Sequence, residues 1–272
     1  MNTQENLQKA KVVLQEADAL FITAGAGMGV DSGLPDFRGT EGFWNAYPKV
    51  RELKLRFEEM ANPEWFKSDP HLAWAFYGHR LQLYRDTVPH EGFSKLLQLS
   101  NDKAYQSFIF TSNVDGQFQE SGFGEDQIME CHGSIHHLQC IHDCKQKLWS
   151  ADEIIVEITE DFRAKDSLPT CPYCASIARP NILMFDDFGW NYSRSNGQRD
   201  RLVQWMDRVE RDGAKLAIIE MGAGTAVPTV RNSSQQIAKR FSVPLIRINP
   251  RESEGAEIAI ALSTVEALSQ IL

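Results

Sequence analysis

Four of the five cysteines form two close pairs, a spacing typical of a metal site. Cys140 and Cys144 are separated by three residues, and Cys171 and Cys174 by two, with 26 residues between the pairs. Four thiolates arranged in this way suit the tetrahedral coordination of a structural zinc ion. Such a site leaves no coordination position open, so the zinc should stabilise the fold and take no part in catalysis. Four free thiols are the alternative, and Cys131 is left over.

A glycine-rich turn follows the first apolar run of the chain. Residues 19–23 lead into the turn at 25–29, GAGMG, which is typical of the strand, loop and helix start that bind phosphate in nucleotide-binding α/β proteins. The spacing differs from the G-x-G-x-x-G of dehydrogenases, and no acidic residue ends a second strand ~20 residues later. Taken alone, the turn is compatible with a phosphate site or with a simple tight turn.

Polar residues that could bind a ligand or transfer a proton follow a second apolar run at 107–111. Asn113 and Asp115 lie in the turn after this run, and His132 comes 17 residues after Asp115. His132 is a candidate general base, because an imidazole accepts a proton near neutral pH. The neighbouring histidines are assigned no chemistry; they are His136, His137 and His142.

Taken together, these blocks resemble the sirtuin family. Residues 25–38, GAGMGVDSGLPDFR, are similar to the family signature GAGxSxxxGIPDFR. The remaining blocks follow in the family's order: residues 111–115 resemble TQNxD, 132–134 the HG motif, 179–185 (RPNILMF) the segment RPxVVxFGE, 222–227 GTSxxV, and Asn249-Pro250 the NP pair. They extend from about residue 20 to residue 250, which is too many independent matches for chance.

The resemblance implies an α/β fold, namely a Rossmann-like parallel sheet with a smaller inserted zinc-binding module and a helical insert. The expected NAD-binding domain comprises residues 1–39, 86–138 and 178–272, with the helical insert at 40–85 and the four-cysteine module at 139–177. Alternating patterns support a parallel sheet covered on both faces. They predict strands at 19–23, 107–111, 215–219 and 244–248, and helices at 6–17, 63–87, 93–99, 233–241 and 264–272. The polar segment 140–174 should have little core of its own.

The implied activity is the NAD-dependent removal of acyl groups from lysine side chains of a protein or peptide. The acyl oxygen attacks C1′ of the nicotinamide ribose, nicotinamide leaves, and the products are lysine and O-acyl-ADP-ribose. His132 is the implied base, Asn113 orders the ribose, Asp115 holds the nicotinamide amide, Arg38 binds the pyrophosphate and Phe37 excludes water. The other implied cofactor-binding residues are Ala24, Gly25, Ala26, Gly27, Asp36, Ser112, Val114, Gly222, Ala223, Gly224, Asn249 and Pro250.

Four departures from the family pattern bear on the NAD contacts. Gly29 replaces the signature serine, Ser112 the glutamine of TQN, Ala223-Gly224 the two hydroxyl residues of GTS, and Asp186-Asp187 the GE pair. Each change is expected to weaken NAD binding. None removes the candidate base, the arginine or the Asn–Asp pair, so activity is still expected.

Tyr77 and Arg80 point to a choice of acyl group. Sirtuins that prefer succinyl, malonyl or glutaryl lysine carry Tyr-x-x-Arg beyond the PDFR motif, and this pair has that spacing in a comparable place. Residues i and i+3 share one face of a helix, so both side chains can line one pocket and bind a distal carboxylate. The alternative is a core tyrosine beside a solvated arginine.

Composition limits the partners. With 28 Lys and Arg against 37 Asp and Glu, the net charge is −9, which disfavours nucleic acid and anionic membranes. The N-terminal segment lacks the pattern of a secretory signal and no apolar run is long enough to cross a bilayer, so a cytoplasmic location is expected. Two other functions stay open: an ADP-ribosyltransferase or NAD glycohydrolase that uses the same site, and a catalytically silent zinc-containing module that binds NAD as a sensor.

Overall fold

The computed structural model describes residues 3–35, 39–165 and 167–272, without the side chains of 39–41. Among these residues, no helix combines the length and apolar character needed to cross a bilayer. The helices are α1 (Thr3–Glu16), α2 (Gly27–Val30), α3 (Gly39–Ala46), α4 (Pro48–Glu52), α5 (Phe57–Met60), α6 (Trp65–Ser68), α7 (Pro70–Asp86), α8 (Glu91–Asn101), α9 (Gln117–Glu120), α10 (Ser193–Arg211), α11 (Thr229–Phe241) and α12 (Thr264–Ile271), with a 3-10 turn at Glu125–Gln127. The strands are β1 (Ala19–Ala24), β2 (Ser107–Thr111), β3 (Ile128–Glu130), β4 (Gly133–Cys140), β5 (Leu148–Ser150), β6 (Ala178–Ile182), β7 (Leu216–Met221), β8 (Leu245–Ile248) and β9 (Ile258–Ile260).

Six strands form the predicted parallel sheet, in the order β3-β2-β1-β7-β8-β9. Its central strands are buried along their whole length, as expected where helices cover both faces. Alternate residues of β1 serve the two faces. Leu20 and Ile22 join a core with residues of α1, α8 and α12, whereas Phe21 joins a core with residues of α10 and α11.

The strand order reverses direction at β1. This strand pairs with β2 on one side and with β7 on the other, in parallel register throughout. The chain builds outward from β1 to β3 and later from β7 to β9. Loops that leave the carboxyl ends of two such strands turn to opposite sides and open a crevice, where α/β proteins bind their ligands.

A second sheet carries the four-cysteine segment. Its strands are antiparallel, in the order β5-β4-β6, and they enclose residues 141–177 between β4 and β6. One hydrophobic core joins this sheet to helices α3 to α7, and the indole nitrogen of Trp74 donates to the carbonyl of Ala178 at 2.9 Å. The segment adds two buried residues to this core, Ala151 and Ala164, and seven partly buried apolar residues pack against it, namely Ile141, Trp149, Ile154, Val156, Phe162, Leu168 and Ile177. These side chains pack in the core that the sheet shares with the helices.

The single helix predicted over 63–87 is wrong, because the chain breaks it at Asp69. Pro70 disfavours a helical conformation in the residue before it, and Asp69 has φ −148°. The Asp69 carboxylate accepts from the backbone N–H of Leu72 at 3.2 Å and so caps α7. The patterns did not predict α10, whose buried face begins with Ser195 and Gln198, nor the short strands β3 and β9 and the antiparallel sheet.

A buried ion pair gives a stability prediction for the sheet. Glu220 of β7 and Arg247 of β8 are paired in register, 2.5 Å apart, and are 0% and 1% exposed. Glu220→Gln leaves a buried guanidinium uncompensated, so the free energy of unfolding in urea should fall by about 3–5 kcal/mol. Glu64→Gln, which breaks the exposed pair with Lys67, is the matched control and should change little. Equal effects of the two substitutions would contradict this account.

Candidate active site

Five of the predicted functional blocks follow the carboxyl ends of strands in the parallel sheet, whereas residues 179–185 lie in and after β6 of the antiparallel sheet. Residues 25–27 follow β1, 112–115 follow β2, 131–132 follow β3, 222–224 follow β7 and 249–250 follow β8. Because the strands are parallel, these ends meet at one edge. The structure therefore brings together blocks that are up to 225 residues apart in the chain.

The two glycine loops touch each other at the β1–β7 crevice. The N–H of Gly27 donates to the carbonyl of Gly222 at 3.0 Å, and a Cβ on Gly222 would lie 2.3 Å from the amide nitrogen of Met28. A Cβ on Gly25 would lie 2.8 Å from Cα of Ala223. Glycine is required at positions 25 and 222 because the backbones of the two loops are in direct contact. This exposed backbone surface has the character that a pyrophosphate needs for close approach.

Side chains from elsewhere hold the Gly-Ala-Gly loop that replaces GTS. The carbonyl of Ala223 accepts from Asn249 Nδ2 at 2.8 Å and from Arg231 Nε at 3.2 Å. Arg231 also donates to the carbonyl of Glu252. Asn249 Oδ1 accepts from the backbone N–H groups of Arg251 and Glu252, both at 3.0 Å. In this structure Asn249 therefore shapes the loop, and Arg231 supplies support that the sequence motifs do not reveal.

The Asn113–Asp115 turn is tied to the end of β1. Thr111 Oγ1 donates to the carbonyl of Ala24 at 3.0 Å and accepts from the N–H of Asn113 at 3.0 Å. Asp115 Oδ1 accepts from the N–H of Gln117 at 3.0 Å. Burial raises the pKa of Asp115 to about 6. An additional hydrogen-bond donor at the Asp115 carboxylate would therefore stabilise its ionised form.

His132 lies in the turn between β3 and β4. Gly133 has φ +78°, and a Cβ there would lie 2.0 Å from the carbonyl oxygen of Asn181, so the HG motif needs its glycine to pack against β6. The N–H of Leu183 donates to the carbonyl of His132 at 2.9 Å. Burial lowers the pKa of His132, which keeps the imidazole neutral and able to accept a proton. Burial raises the pKa of Cys131 to about 12, so its thiol stays protonated.

His136, by contrast, has a structural contact. Its Nε2 lies 2.8 Å from the carbonyl oxygen of Asp115, which fixes the turn after β2 to strand β4. A cavity of about 380 Å³ adjoins this contact and is lined in part by Asp115, Gln117, His136 and Tyr84.

The Asp-Asp pair after β6 keeps a buried charge pair. Asp187 accepts from both terminal nitrogens of Arg179, at 2.7 and 3.0 Å, and the two side chains are 1% and 3% exposed. It also accepts from the N–H groups of Met184 and Gly189. This bidentate pair fixes the segment after β6. The departure at Asp187 thus retains the negative charge that Arg179 requires.

Tyr77 and Arg80 share a buried, aromatic environment on α7. Tyr77 is fully buried and Arg80 is 6% exposed, so the alternative of a solvated arginine is wrong. Arg80 donates from Nε and Nη2 to the hydroxyl of Tyr84, at 3.1 and 2.7 Å, and lies over the rings of Phe76, Tyr77 and Tyr84. The Tyr77 hydroxyl has no hydrogen-bond partner among the described residues. Tyr84, one turn beyond Arg80, was not predicted, although its i+4 spacing was visible.

Three predicted cofactor-binding residues, Asp36, Phe37 and Arg38, lie outside the described residues. Of the other positions, Ala24 ends β1, Ala26 and Gly27 continue its loop, and Ser112 and Val114 flank Asn113. Gly224 completes the loop after β7, and Pro250 follows Asn249.

The four paired cysteines meet in space as the zinc prediction requires. Their Sγ atoms all lie within 4.8 Å of one another, with Cys140 and Cys174 3.6 Å apart and Cys144 and Cys171 3.6 Å apart. Four sulfurs around zinc at ~2.3 Å would be about 3.8 Å apart, so the cluster fits a tetrahedral ion. Among the described residues, this is the one group of His, Cys, Asp and Glu arranged to hold a metal.

Sequence comparison identifies one family. A model of the Sir2 family matches residues 25–195. An NAD-dependent protein deacylase of Thermococcus sibiricus is 31% identical over 182 residues, 66% of this chain and 65% of the relative. An NAD-dependent protein deacylase of Aquifex aeolicus is 31% identical over 240 residues, which are 88% of this chain and 87% of the relative. The chain thus spans slightly less than two thirds of the length of the Thermococcus sibiricus relative.

Comparison with solved structures points to the same family. A variant Sir2 homologue in complex with ADP-ribose has a TM-score of 0.73 and 26% sequence identity, and the match covers 97% of this chain and 94% of that one. A Sir2 homologue in complex with NAD has a TM-score of 0.71 and 27% identity, with 97% and 91% coverage. The predicted fold, a parallel sheet with a four-cysteine module and a helical insert, is therefore confirmed.

Loss of a single cysteine should release the metal. Cys144 is exposed, so Cys144→Ser removes a ligand with little loss of packing. We expect the purified protein to hold one zinc per chain by atomic absorption, and the variant to lose it and melt at a lower temperature. Cys131→Ser is the matched control, since Cys131 lies outside the cluster, and it should keep its zinc. A metal-free protein that melts like its Cys144→Ser variant would refute the site.

Proposed function

The chain belongs to the Sir2 family, and from this premise we propose that it removes acyl groups from protein lysine side chains with NAD as co-substrate. The products are nicotinamide, lysine and O-acyl-ADP-ribose. One observation carries the proposal: the glycine loops, the Asn113–Asp115 turn and His132 meet at the carboxyl edge of one parallel sheet. The names of the relatives and the NAD and ADP-ribose complexes of the structural neighbours support it.

Each group has a distinct proposed role. NAD supplies an electrophilic ribose carbon and a leaving nicotinamide. The loops at Gly25 and Gly222, with Arg38, bind the pyrophosphate. Asn113 orders the nicotinamide ribose and Asp115 binds the nicotinamide amide. His132, neutral at physiological pH, takes a proton from a ribose hydroxyl after nicotinamide has left.

Analysis of the products tests this function. The protein should convert NAD and an acetyl- or succinyl-lysine peptide into equal amounts of nicotinamide and O-acyl-ADP-ribose, measured by mass spectrometry. Free ADP-ribose or an ADP-ribosylated protein would instead favour an NAD glycohydrolase or a transferase. The absence of nicotinamide release with any acyl peptide would favour a silent NAD-binding module.

Removal of the base gives a prediction in two parts. His132→Ala should lower deacylation by ~10²–10⁴-fold, the usual contribution of a positioned general base. Because burial lowers the pKa of His132, kcat at saturating NAD should stay level as the pH falls to about 6.5 and decline only below it, as the imidazole becomes protonated. His142→Ala, at an exposed histidine that is assigned no chemistry, is the control. Near-normal turnover without His132 would remove it from the mechanism.

The acyl group is proposed to carry a carboxylate. Arg80 is a buried cation whose hydrogen bonds include the neutral hydroxyl of Tyr84, and the Tyr77 hydroxyl beside it has no partner in the described part of the chain. A carboxylate at the end of a succinyl or malonyl chain would accept from both. An acetyl group offers no such acceptor.

Two substitutions on α7 test the acyl preference. Tyr77→Phe removes a hydroxyl without a described partner, so the fold should be unaffected, whereas kcat/KM for a succinyl peptide should fall about 10-fold or more, the effect of one hydrogen bond to a charged group. Arg80→Met should abolish most of the succinyl preference and spare acetyl turnover. A clear acetyl preference in the unmodified enzyme would contradict the proposed acyl preference. Equal losses of kcat/KM for both peptides in Tyr77→Phe would contradict it as well.

A further inference from the structure

Gln117 has a buried side-chain amide without a hydrogen bond. It is the first residue of α9, two positions after Asp115, and it is 2% exposed. Neither its Oε1 nor its Nε2 has a partner among the described residues. Buried amides are almost always hydrogen-bonded, because an unsatisfied polar group destabilises the fold. An exception of this kind calls for a partner that arrives from outside the chain.

The amide lies beside Asp115 and Gly29. A Cβ built on Gly29 would be 3.4 Å from Gln117 Oε1 and 3.6 Å from Asp115 Oδ2, with only the tip of Leu34 closer, at 2.9 Å. Gln117 and Asp115 thus both lie beside Gly29, and both line the cavity of about 380 Å³. The family signature has a serine where this chain has Gly29. Gln117, the first residue of α9, places a polar side chain next to this position.

The chemistry of these two side chains favours one kind of ligand group. Gln117 presents one acceptor and an NH₂ donor, and Asp115 presents an acceptor. A primary carboxamide is complementary, because its NH₂ can donate to both acceptors while its carbonyl accepts from Nε2. A carboxylate would face Asp115 with like charge, and a ketone would lack the donors.

We propose that Gln117 binds the carboxamide of nicotinamide and, together with Asp115, selects NAD over dinucleotides that lack this amide. This inference rests on the proposed use of NAD. It adds a specificity residue that takes the place of the serine missing at Gly29. Gln117 contacts the leaving group and leaves proton transfer to His132.

Binding measurements separate this role from a structural one. Gln117→Leu and Gln117→Met remove the amide and keep most of the volume, so the melting temperature without ligand should stay the same or rise. The inhibition constant of nicotinamide and the KM for NAD should both rise on the order of tenfold. The Kd of ADP-ribose, which lacks nicotinamide, should stay unchanged by calorimetry. The preference for NAD over its 3-acetylpyridine analogue should shrink. Gln119→Leu on the same helix is the control and should match the unmodified protein.

The outcomes are distinguishable. If both Gln117 variants turn over and bind ADP-ribose normally, and nicotinamide inhibits them as it inhibits the unmodified protein, Gln117 does not hold the carboxamide. Weaker binding of ADP-ribose and nicotinamide by the same factor, together with a lower melting temperature, overturns the inference in favour of a packing role. If the unmodified protein neither binds ADP-ribose nor releases nicotinamide, the proposed function itself fails.

Discussion

The contact between the two glycine loops is the constraint on which the rest of the site depends. Strand order reverses between β1 and β7, so the loops that leave these strands separate, yet at their base Gly25 and Gly222 pack backbone against backbone. A side chain at either position would push the loops apart. The turn after β2 is bonded to the carbonyl of Ala24, and the turn after β3 is bonded through Cys131 to Thr111. A shift of the β1 loop would therefore reach Asn113 and His132.

The second sheet supports the same edge from the other side. Gly133 packs against Asn181 of β6, and Leu183 bonds to the backbone of His132. The Arg179–Asp187 pair fixes the chain just beyond these contacts. The four-cysteine segment lies between β4 and β6, and most of its apolar side chains are only partly buried in the shared core, so a bound metal would add rigidity there. A bound metal would therefore influence the position of His132 through β4 and β6.

Much of this arrangement could be predicted from the sequence, for identifiable reasons. Buried parallel strands are short apolar runs, so the bounds of β2 were predicted correctly and those of β1 to within one residue. The motif order predicted the family, and the matching family model confirms it. The sequence spacing of the paired cysteines predicted that their four sulfur atoms lie together, because a tetrahedral site constrains the spacing of its ligands. Each of these signals is local in sequence or stereotyped in spacing.

What escaped prediction depends on contacts distant in the chain. Arg231 supports Ala223 only because α11 folds back over the loop, and Gln117 lies beside Gly29 although 87 residues separate them in the sequence. Neither is part of a motif. The buried face of α10 begins with polar residues because it contacts Glu130, which accepts from Gln198 and pairs with Arg194. Hydrophobic periodicity has no means of detecting such a face.

A crystal structure of the protein with NAD tests the central claim most directly. The account predicts the pyrophosphate against the backbone of the Gly25 and Gly222 loops, the nicotinamide end towards Asp115, and His132 facing the nicotinamide ribose. A dinucleotide bound away from the carboxyl edge of β1 and β7, or one whose nicotinamide lies remote from both Asp115 and His132, would contradict it.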